Sequence, residues 1–258
     1  MYPVLFQIGP ITIYTYGFFV AIGLMLGISI ALKQAKRDGL DYQKILDGAF
    51  YIILAGIIGS RIFYVIQNFP LYKSNLLNIF KLWEGGLVFY GGLLLGIPVA
   101  WIIIKRQGFS ILNFFDLFAP SMAIGQAVGR IGCFFAGCCY GLPTQIPWEV
   151  TFTHPQSLAP KGIPLHPTQL YSSLACFIIF VILVSFRRHT RFTGELFCLY
   201  LILHSGARFT IEFFRGDPRL WFWNQTISLP QVISILIFTT AVFLYVYLKK
   251  NIQYKISK

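Results

Sequence analysis

The sequence predicts an all-α polytopic membrane protein with seven transmembrane helices, its N-terminus outside and its C-terminus cytoplasmic. Three observations carry that prediction. Of 258 residues, 56% are hydrophobic and only 12% charged, about half the charged share of an average soluble domain, and mean hydropathy is +0.68. So few charges cannot coat the surface of a soluble globule of this size. The apolar residues gather into seven runs of spanning length, and Lys and Arg alternate in density between those runs.

The first run covers residues 14–32. MYPVLFQIGP ahead of it lacks the basic n-region of a cleavable signal peptide, so it reads as a retained span. Residues 48–67, 86–104, 117–137, 168–186, 195–214 and 227–248 follow, each near the ~20 residues that cross a hydrocarbon layer of about 30 Å. Helices are the expected form, because backbone groups must be satisfied within the span and the polar–apolar alternation of a barrel is absent. The third run includes EGGLVFYGGLLLG, whose glycines permit close helix approach or a broken helix lining a cavity. The longest connection, 138–167, is broken by Pro and Gly and has no linker composition. Residues 1–258 therefore read as a single integral membrane domain.

Alternate connections set the orientation. Residues 33–47, 105–116, 187–194 and 249–258 hold four, two, three and four Lys or Arg, thirteen in all, and the other side holds five. By the positive-inside rule the richer side is cytoplasmic. The formal net charge of +12, from 21 Lys plus Arg against 9 Asp plus Glu, is thus spent on topology and anionic headgroups, and nucleic acid is not an expected partner.

Three basic residues remain inside spans: Arg61, Arg130 and Arg208. A central arginine costs about 2.5–3.5 kcal/mol on insertion scales, so each should face protein, water or a bound anion. They follow Asp47, Asp116 and Glu195, near the inner ends of their spans, by 14, 14 and 13 residues. That sets each about 20 Å from the inner boundary, so the three could form one cationic layer in the outer half of the membrane. His204, Arg208, Glu212 and Arg215 share one helical stripe, and Gln126, Arg130, Cys133 and Gly137 share another. Tyr90, six residues after Glu84 in the third span, reaches about the same depth. A polar pocket beneath the outer surface follows.

Plainer readings stand beside these. Arg61 also suits a buried structural ion pair, Glu212 could simply neutralise Arg208 one turn away, and Asp116 suits an interface. Cys133, Cys138 and Cys139 are a weak metal signal without a second ligand pair, and adjacent cysteines bridge each other only with strain. Small-residue packing is the simpler reading, and no metal or other cofactor is expected. No Walker or Rossmann glycine pattern is present.

The motifs are similar to those of the prolipoprotein diacylglyceryl transferases of the bacterial inner membrane. The resemblance runs in order along almost the whole chain: IGP with Tyr16-Gly17, GSRIFYVIQNFP from Gly59, LWEGGLVFYGGLLLG from Leu82, GRIGCFFAGCCYG from Gly129, HPTQLY from His166, GARFTIEFFRGDPR from Gly206 and ISLPQVISI from Ile227. It implies an outer-leaflet lipid site and a laterally entering signal peptide, in a membrane where the outer N-terminus is periplasmic. The implied enzyme transfers the diacylglyceryl group of phosphatidylglycerol to the lipobox cysteine of a preprolipoprotein signal peptide and releases glycerol 1-phosphate. Tyr16, Arg130, Gly141, Arg208 and Glu212 fall on positions the family uses for activity or binding, and Asp116 matches as well.

Departures accompany the match. The family's histidine before Gly-Gly is Tyr90, the asparagine of its signature is Cys133, and a glutamate and a tryptophan there are Cys138 and Tyr140. A tyrosine four residues before the essential arginine is His204. Histidine and tyrosine roles are therefore expected to have exchanged helices if Tyr90 and His204 share a pocket, with His204 as base toward the acceptor thiol. Arg130 and Arg208 would hold the leaving phosphate, and Arg61, Tyr16, Gly141, Glu212 and Cys133 would line the substrate. Two rivals stay open, a divergent paralogue with another acceptor and a lipid or anion transporter, beside a thiol oxidoreductase using Cys133 and Cys138.

Overall fold

The structure, a computed structural model, describes residues 1–9, 11–73, 75–81, 85–222 and 226–256. Trp83, Glu84 and Trp223, near predicted interfaces, lie outside the described residues. Long helices dominate the rest: α1 (Thr15–Arg37), α2 (Tyr42–Gln67), α3 (Phe89–Arg106), α4 (Ile111–Ala136), α5 (Thr168–Phe186), α6 (Glu195–Glu212) and α7 (Leu229–Ile256). Strands are short. β1 (Val4–Ile8) and β2 (Ile11–Tyr14) precede α1; β3 (Val150–Thr151) pairs antiparallel with β4 (Pro164–Leu165), and β5 (Trp221–Phe222) with β6 (Ile227–Ser228).

Five stretches, Thr15–Arg37, Tyr42–Gln67, Ile111–Ala136, Thr168–His189 and Leu229–Asn251, are long and apolar enough to cross a membrane. α6 stands outside that group with Glu195, Arg208 and Glu212 among its 18 residues, and α3 is equally short with Pro98 inside it. Every apolar run coincides with a helix, but several helices overrun their run. Hydropathy marks only the lipid-matched stretch, whereas helical hydrogen bonding continues until something stops it. After α1 that stop is Gly39 at φ +69°, and before α2 it is Asp41, whose side chain accepts from the N–H groups of Gln43 and Lys44.

The chain folds as two compact units, one of residues 1–5, 14–30 and 115–258, the other of 6–13 and 31–114. In the smaller unit α2 and α3 cross at glycines. A Cβ on Gly91 would stand 2.4 Å from the Gly59 carbonyl oxygen and 2.5 Å from Phe63 Cβ, so only glycine allows this approach, the usual device where helices lack a hydrophobic drive to associate.

In the larger unit Ala119, Ala123, Ile179, Leu183, Leu196 and Tyr200 form a buried core joining α4, α5 and α6. Pro120 has no N–H to offer the Asp116 carbonyl, and Arg187 Nη1 donates to it instead at 3.3 Å. The Asp116 carboxylate accepts from the N–H groups of Gly194 at 2.5 Å and Phe197 at 2.8 Å, capping α6 from another helix. Asp116→Ala is therefore expected to cost about 1–3 kcal/mol by stranding two donors. The thermal midpoint of detergent-solubilised protein should fall by several degrees; an unchanged midpoint would remove the capping role.

Candidate active site

The end of α4 and the turn beyond it collect the thiols. Thr168 Oγ1 donates to the Cys139 carbonyl and Gln169 Nε2 to the Cys138 carbonyl, both at 2.8 Å, and these two α5 side chains are fully buried. So held, Cys139 takes φ +61°, the only positive φ at a non-glycine among the described residues. Its Sγ lies 3.6 Å from Arg130 Nη1. Hydrogen bonds with Cys133 and Cys138, then the charges of Arg215 and Arg130, hold the Cys139 thiol well below its ordinary range despite burial. All five cysteines are free thiols.

Glu212, at the end of α6, is the anionic hub. Arg208, one turn earlier, pairs with one carboxylate oxygen and Arg219 with the other, and Ser228 Oγ donates at 3.0 Å. Asp217 pairs with Arg215 at 2.8 Å and Arg219 at 2.6 Å. Burial, then the like charges of Arg208 and Arg130, push the Arg219 guanidinium down to about 10 against the pull of Cys139. It stays protonated near neutrality.

Backbone contacts hold that connection against the α4–α5 loop. Leu142 N–H donates to the Phe214 carbonyl at 2.8 Å, Gly216 N–H to that of Tyr140 at 3.0 Å, and Gly141 bridges Arg215. A Cβ on Gly141 would stand 2.4 Å from the His166 carbonyl oxygen and 2.9 Å from that of Phe214. Gly141 thus sits where three backbones meet.

The two polar stripes face each other. Gln126, one turn before Arg130, donates to the Tyr200 hydroxyl at 2.8 Å, and the Tyr200 ring lies 5.5 Å from that of His204. His204 precedes Arg208 by one turn of α6, and the Tyr16 backbone lies against α4, where a Cβ on Gly132 would stand 3.1 Å from the Tyr16 carbonyl oxygen. Arg130, Arg208, His204, Tyr16, Gly141, Glu212 and Cys133 thus belong to the larger unit.

Arg61 and Tyr90 belong to the smaller one. Buried Arg61 donates through Nε to Ile79, through Nη1 to Gly85 and Gly86, and through Nη2 to Asn78 and Lys81, all backbone carbonyls at 2.7–3.2 Å. Its guanidinium also lies over the Tyr64 and Tyr72 rings. It holds the carbonyls of residues 78, 79, 81, 85 and 86, ahead of α3, and also lines a cavity of about 310 Å³ with Ile57, Ile62 and Phe80. Tyr90, the second residue of α3, is 69% exposed.

Sequence reasoning missed Arg219, Ser228, Thr168 and Gln169. All four lie inside the shared motifs, Arg219 closing GARFTIEFFRGDPR, Ser228 in ISLPQVISI and Thr168 and Gln169 in HPTQLY, and that was the usable signal. Arg219 follows Pro218 beyond the helix, where no periodicity marks it.

Five helices long and apolar enough to cross a membrane, with arginines, thiols and two carboxylates gathered in the larger unit, define a multi-pass membrane protein. The sequence profile described as prolipoprotein diacylglyceryl transferase matches residues 3–247. Three relatives named phosphatidylglycerol–prolipoprotein diacylglyceryl transferase are similar over nearly full length. That of Clostridium tetani is 36% identical, covering 95% of this chain and 97% of the relative. That of Finegoldia magna is 35% identical over 96% of both, and that of Clostridioides difficile 34% over 99% and 98%. The chain belongs to the prolipoprotein diacylglyceryl transferase family.

Proposed function

We propose that this protein transfers the diacylglyceryl group of phosphatidylglycerol to the lipobox cysteine thiol of a preprolipoprotein, releasing glycerol 1-phosphate. One observation supports the reading beyond family membership: Gln126 of α4, one turn before Arg130, bonds Tyr200 of α6, whose ring lies 5.5 Å from that of His204, so the polar stripes carrying Arg130 and Arg208 face each other. A carbon–sulfur bond forms at the glycerol carbon bearing the phosphate ester, and the carbon–oxygen bond breaks with its electron pair going to phosphate. Arg130 and Arg208 meet that growing charge with forked hydrogen bonds. His204 takes the acceptor thiol's proton, since a thiol with an unperturbed pKa of ~8.5 is mostly protonated at neutral pH. Tyr90 is the second proton-handling candidate.

Tyr16 and Cys133 line the substrate beside Arg130, Gly141 fixes the loop that closes on it, and Glu212 balances Arg208. Arg61 is a further substrate-binding candidate. All seven helices span the bacterial cytoplasmic membrane as one domain, residues 1–258, with a periplasmic N-terminus and cytoplasmic C-terminus. The thirteen-to-five distribution of Lys and Arg between connections supports that orientation.

The test is to incubate purified protein with phosphatidylglycerol and a lipobox peptide and look by mass spectrometry for the diacylglyceryl thioether. Its absence with folded protein refutes the reading. His204→Phe is expected to lower turnover by about 10²–10⁴-fold while leaving the thermal midpoint and lipid binding near wild type. Unchanged turnover would move the base elsewhere.

A further inference from the structure

We propose that Cys133, Cys138 and Cys139 form a binding site for a thiophilic d¹⁰ cation of the Zn²⁺ and Cd²⁺ class. Spacing alone, Cys-x4-Cys-Cys, is a weak signal, and the fold supplies what it lacks. The three Sγ atoms all lie within 4.8 Å of one another. A Zn–S bond of about 2.3 Å sets sulfurs of a tetrahedral site about 3.8 Å apart, so closure needs a movement of about 1 Å or less, within reach of side-chain rotation. Among the described residues no other group of three such ligands gathers. Cys176 and Cys198 are buried separately in α5 and α6.

The surroundings fix the backbone that carries these thiols. Two fully buried polar side chains, Thr168 and Gln169, spend their donors on the carbonyls of Cys139 and Cys138. Cys139 holds a left-handed backbone, an arrangement disfavoured for a non-glycine residue unless the surroundings impose it. Here it turns the third sulfur toward the other two. Three thiolates around a divalent cation carry one net negative charge. Arg130 Nη1, 3.6 Å from Cys139 Sγ, offsets it. Only three protein ligands converge, so a fourth position stays open to water or an exogenous thiol. The site shares Cys133 and Arg130 with the substrate lining proposed above, and its test reads metal binding rather than turnover, so the two can fail separately.

Reduced, chelator-treated full-length protein in detergent is titrated with Cd²⁺ while thiolate-to-metal charge-transfer absorption is followed. Saturation is expected at one equivalent, with Cys133, Cys138 and Cys139 protected from alkylation and Cys176 and Cys198 unaffected. Cys133→Ser, Cys138→Ser and Cys139→Ser should each weaken the titration about tenfold or more, and Cys176→Ser with Cys198→Ser should titrate like wild type. No charge-transfer band at one equivalent overturns the site, as does a band that survives all three single substitutions. Should a serine variant unfold, the wild-type alkylation map decides: failure to protect these three thiols equally refutes it.

Discussion

Arg130→Glu is expected to cut diacylglyceryl thioether formation by at least about 10²–10³-fold, the loss typical when one preorganised donor to a developing oxyanion is removed. Reversal does more than removal. Arg130 shares its surroundings with Arg208 and Arg219 and faces the Cys139 sulfur at 3.6 Å. A carboxylate there would repel both the phosphate and any nearby thiolate. Arg130→Lys should fall between, because an ammonium keeps the charge but loses the planar fork that grips phosphate. Phosphatidylglycerol binding and turnover are to be measured on each variant alongside thermal midpoints. Full turnover by the glutamate variant would take Arg130 out of the reaction.

The helices were legible because hydrocarbon imposes a length and a polarity on any span, and residues 48–67 or 168–186 satisfy both unaided. The facing of α4 and α6 was legible for a related reason. A polar residue at membrane depth must find a partner, so Gln126, Arg130, His204 and Arg208 announce their stripes. What lies off a helix carries no such constraint. Arg219 and Ser228 reach Glu212 only because the α6–α7 connection folds back, and no periodicity encodes that. Asp116 looked interfacial because its partners, the N–H groups of Gly194 and Phe197, are backbone atoms 78 and 81 residues away. Arg61 shows the same limit: its depth foretold burial, but its acceptors are carbonyls of a segment whose path no side-chain pattern reveals.

Glu212→Gln is expected to destabilise the protein by about 3–5 kcal/mol, the range for removing one member of a buried ion pair. The substitution keeps shape but turns one acceptor oxygen into an NH2 donor that faces a guanidinium, so the loss reports the charge and one acceptor together. Glu212 is 3% exposed and neutralises Arg208 and Arg219 at once; without it two largely buried guanidinium groups face each other with only Asp217 nearby for Arg219. Arg219→Met should therefore rescue part of the stability lost in Glu212→Gln, a non-additive pair as expected of groups in contact. Strictly additive losses would mean that Arg219 is a bystander. An anionic lipid can also supply the missing negative charge. Phosphatidylglycerol should raise the thermal midpoint of Glu212→Gln more than that of wild type, whereas a zwitterionic lipid should raise both alike. Equal shifts with phosphatidylglycerol would mean that the headgroup phosphate does not reach Arg208.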